Sequence, residues 1–91
     1  MSSNVELHRL REQAMEGQAA RDILEDPIMR KAFEKVDERI IEMFRESGGD
    51  PGILRDAYFM HVAKGELKAN LRQIIGTGKA AENELNNNNN N

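Results

Sequence analysis

No cysteine occurs in the 91 residues of this chain, so it has no disulfide staples and no thiolate to serve as metal ligand or nucleophile, and nothing points to an oxidising compartment. Tryptophan is absent as well, and Phe33, Phe44, Tyr58 and Phe59 are the only aromatic residues. Core packing must therefore rest on Leu, Ile and Met, which suits helices laid side by side. Long apolar runs are missing too: the opening "MSSNVELHRLREQ" holds no apolar segment of the kind a signal peptide carries, and no stretch is long enough to cross a membrane. These absences predict a soluble chain, not secreted by a signal peptide, in the cytoplasm. An excess of basic charge is also lacking. The net charge of −3 divides into −2 over residues 1–25, −1 over 26–48 and 0 over 49–85, so no segment gathers the positive charge that phosphate-backbone binding requires. With 38% hydrophobic and 32% charged residues, the chain makes at most one small domain with a thin core, too small for a large buried active-site cavity.

Proline occurs only twice, each time after aspartate, at Asp26-Pro27 and Asp50-Pro51. An Asp carboxylate accepts the orphan N–H groups of a first helical turn, and Pro fits the first helical position because its φ is preset and its missing N–H would go unused. Both dipeptides therefore predict helix starts, and Ser3-Asn4-Val5-Glu6 has the spacing of a capping box for a helix before them. The expectation is an all-α fold: an antiparallel helical hairpin of helices 27–46 and 51–75, a weaker N-terminal helix over 3–24, and a disordered C-terminal tail. In domain terms, residues 1–25 form an N-terminal helix that is mobile or ordered by a partner, 26–79 the hairpin, and 80–91 the polar tail.

The second helix carries Met29, Phe33, Val36, Ile40 and Met43 at steps of three and four, widened by Ile28, Ala32, Ile41 and Phe44. Ser47-Gly48-Gly49 then ends it, with Gly48 suited to a left-handed C-cap. In the third helix Leu54, Ala57, Met60, Leu67, Leu71 and Ile74 keep comparable spacing, with Lys64 in the same register. A turn at Gly48 and Gly49 makes facing residue numbers sum to about 97, which sets Phe33 opposite Lys64 and Met29 opposite Lys68. The first helix is less regular, since Gly17 and Arg21 continue the stripe of Leu7, Leu10 and Ala14, and an interior Gly costs about 1 kcal/mol relative to Ala.

Gly76-Thr77-Gly78-Lys79 resembles the end of a phosphate-binding loop, but Gln73 stands where the first Gly is needed, Ala80 where Ser or Thr is needed, and a helix precedes it in place of a strand. The expected role of Gly76 is a helix terminus, with Lys79 near the negative end of the dipole; the six asparagines 86–91 then read as disorder. His8 and His61 have no second ligand at helical spacing. No catalytic, cofactor-binding or metal-binding residue emerges, and no cofactor or small-molecule substrate is expected. Glu34, Glu38, Glu42 and Glu46 form a like-charged row at four-residue spacing, read as a solvated face.

Two features point to a partner. Lys64-Gly65 interrupts the third helix where its packing should be best: either the amine snorkels to Asp37 or Glu34, or Gly65 admits another backbone. "AYFMHV", residues 57–62, wraps apolar side chains around more than half the helix, while a hairpin buries only one side. The expected partner interface is therefore Ile41, Phe44, Tyr58, Phe59, Val62 and Gly65, with Met29, Phe33, Val36, Ile40, Leu67 and Leu71 closing the hairpin. So small an ordered portion calls for a homo-oligomer or a larger structural protein as partner, with no nucleic acid and no membrane.

The stretches "ARDILEDPIMRKAFEKVDERIIEMF" and "LKANLRQIIGTGKAAE" resemble short helical proteins encoded among bacteriophage virion-assembly genes, over about residues 20–81. Gly65 and the break Gly48-Gly49-Asp50-Pro51-Gly52 depart from that pattern. The resemblance implies a non-enzymatic, multicopy role in a phage particle or its assembly, on a head, portal or connector, and a location in host cytoplasm or virion. The alternative expectation is a small acidic regulatory protein that binds and inhibits a host or phage enzyme through the second helix's carboxylates; charge-steered binding of that kind weakens sharply with salt.

Overall fold

The computed structural model describes residues 3–89, and among these every regular element is helical: α1 (Asn4–Glu25), α2 (Pro27–Glu46) and α3 (Pro51–Asn89). The fold is all-α. Local chemistry explains each start. The Ser3 hydroxyl accepts from the Glu6 amide at 3.0 Å, but the Glu6 carboxylate turns away to Arg9 at 2.6 Å, so only half of the expected capping box forms. Asp26, extended at φ −64° and ψ 127°, accepts from the Ile28 and Met29 amides at 2.8 and 2.9 Å, and Asp50 accepts from the Gly52 amide at 2.8 Å. Gly48 and Gly49, at φ 57° and 85°, are the only described residues with positive φ. Between them they reverse the chain, and the Ser47 hydroxyl ties the turn by donating to the Phe44 carbonyl at 2.9 Å.

Two compact units result, one of Glu25–Ala69 and one pairing residues 3–24 with 70–89. The sequence expectation had joined residues 70–79 to the hairpin; in the structure they go with α1. In the Glu25–Ala69 unit, Phe33, Ile40 and Ala57 are buried. The Lys64 amine donates to Asp37, and the Lys68 amine lies 4.8 Å from the Phe33 ring centroid. Both pairs sit one turn from the expected opposite numbers. Lys64 thus meets Asp37 where Phe33 was expected, and Lys68 meets Phe33 where Met29 was expected.

The other unit corrects three expectations. Gly76 is no terminus: the helix runs through Gly76-Thr77-Gly78 to Asn89, Lys79 is well inside it, and residues 80–89 are helical where a disordered tail was expected. Asn90 and Asn91 lie outside the described residues. The reason is packing at Gly78, which is buried against Gly17. A Cβ built on Gly78 would stand 2.7 Å from the Gly17 Cα and 2.9 Å from the Gln13 carbonyl oxygen; one built on Gly17 would stand 2.8 Å from the Gly78 Cα. Here glycine serves close backbone approach, not termination. Beyond it Ala80, Ala81, Glu82, Glu84 and Leu85 favour helix, Ala81 is buried, and the asparagines extend a helix already nucleated. Gly17, expected to weaken α1, thus lies in its buried stripe with Leu10 and Ala20.

Candidate functional site

The Glu25–Ala69 unit has few residues to bury and much apolar surface left over. Every side chain expected at the partner interface is exposed: Ile41 is 49% exposed, Phe44 48%, Tyr58 59%, Phe59 58% and Val62 37%. The Tyr58 and Phe59 rings, 6.0 Å apart and tilted by 53°, leave α3 in successive directions. Ile41 lies in a shallow hollow with Glu38, Glu42 and Arg45. Gly65 is exposed, and a Cβ there would meet nothing within 4 Å. Among the described residues, no close approach requires a glycine at that position.

Lys64 takes the intramolecular course. Its side chain is 14% exposed and that of its partner Asp37 is 48% exposed, so the ammonium is sheltered and the carboxylate half in water. The hydrogen bond from Lys64, followed by the positive charges of Lys64, Lys68 and His61, holds the Asp37 carboxyl below its ordinary value of 3.8 against the opposing effect of burial. A carboxyl lowered on folding adds stability above the ordinary carboxylate range, and that stability is lost as pH falls through the lowered value. Asp37→Asn should therefore be less stable than the native chain at neutral pH, and the gap should close below pH 3.8. Urea melts at a series of pH values check this, and a gap independent of pH would contradict it.

The acidic row on α2 is less concentrated than its spacing suggests. Arg39 reaches Glu42 at 3.4 Å and Glu46 at 3.9 Å, with all three side chains more than half exposed, so these pairs contribute little. Among the described residues no three His, Asp or Glu side chains group as metal ligands, and no helix is long and apolar enough to cross a membrane.

A second apolar feature was not singled out by sequence reasoning. Phe33, Val36, Met60, Ala63, Lys64 and Leu67 line an open groove of about 270 Å³. Val36 and Leu67 had been assigned to closing the helix pair; Val36 is half-buried and Leu67 is 52% exposed. The signal was present in the sequence: Val36 and Met43 on α2, like Met60, Leu67 and Ala63 on α3, lie progressively to one side of the stripe centred on Phe33, Ile40 and Ala57, at about 100° per residue.

Comparison with protein-family models, with curated proteins and with solved structures returns no match.

Proposed function

We propose that this protein is a non-enzymatic accessory subunit of a phage particle or of its assembly, a small helical hairpin that works by docking apolar helix surface onto a structural partner. The observation that carries the reading is the exposure of Ile41, Phe44, Tyr58, Phe59 and Val62 on a unit whose own core is Phe33, Ile40 and Ala57. Large aromatic side chains left in water lower the free energy when a partner covers them, and such residues dominate interface energetics. The phage assignment is supported by the sequence resemblance over residues 20–81.

Phe44→Glu tests the reading. Phe44 lies near the C-terminal end of α2 and is half in water, so the substitution leaves the helices intact. The expected result is a loss of about 2 kcal/mol or more in partner binding, roughly 30-fold, read as loss of the chain from assembled particles at unchanged far-ultraviolet circular dichroism. Binding that ignores Phe44→Glu and falls steeply with salt would transfer the role to the carboxylates of α2, as in an acidic inhibitor.

A further inference from the structure

We draw no further inference here: the strongest candidate, the open apolar groove that Phe33 and Val36 on α2 form with Met60, Ala63, Lys64 and Leu67 on α3, carries nothing because nothing in the structure shows what covers it.

Discussion

Gly78→Leu should cost about 3 kcal/mol of stability, whereas Gly76→Ala, two residues earlier in the same helix, should gain about 1 kcal/mol. The difference lies in what each added side chain meets. A Cβ at Gly76 finds no atom within 4 Å, so the substitution only removes the conformational freedom that glycine gives the unfolded chain. A Cβ at Gly78 lands 2.7 Å from the Gly17 Cα and 2.9 Å from the Gln13 carbonyl oxygen. These are backbone atoms of another helix, which cannot rotate aside as a side chain would. The helix pair must separate, and the contacts around Leu10, Ala20 and Ala81, all buried, loosen with it. For a domain of this size about 1 kcal/mol moves the melting temperature by roughly 4–8 °C, so thermal melts should place the two variants some 15 °C or more apart. Equal melting temperatures for Gly76→Ala and Gly78→Leu would mean that the Gly17 and Gly78 backbones do not meet.

The same pair of glycines shows where sequence reasoning stopped. Gly76 and Gly78 are indistinguishable by local chemistry: each is a poor helix former in a polar context, and a helix terminus is the economical reading of both. What separates them is Gly17, far away in the chain, and no rule of capping or propensity connects the two. The tail was misread for a linked reason. A run of asparagines cannot bury apolar surface by itself, but behind a packed Ala81 it needs only to propagate a helix, which is far easier than starting one. By contrast, the starts at Asp26 and Asp50 were legible because the carboxylate and the N–H groups it accepts lie within three residues of each other. The exact opposite numbers were not legible: the contacts of Lys64 with Asp37 and of Lys68 with Phe33 fall one turn from those that a short turn predicts. The exposed row was legible from angular coverage alone, since Tyr58, Phe59 and Val62 cannot all face one neighbour. The groove was not, because Val36 and Leu67 had been assigned to the helix contact, and one helix partner covers less of the stripe than its width.

Phe33→Ala should be the most damaging truncation in the Glu25–Ala69 unit, with a loss of about 3 kcal/mol, at the low end of the range for deleting a buried Phe because the site opens into a groove and can partly collapse. Phe33 is one of three buried side chains in that unit, 7% exposed. It is also the face over which the Lys68 ammonium lies, an interaction worth about 0.5–1 kcal/mol at a partly exposed site. Lys68→Met keeps the aliphatic stem and should lose only that smaller part, so the two variants separate packing from charge. Thermal melts should therefore show a drop of roughly 12–24 °C for Phe33→Ala and a few degrees for Lys68→Met. A drop for Phe33→Ala no larger than that for Lys68→Met would mean that the ring packs against little besides the lysine.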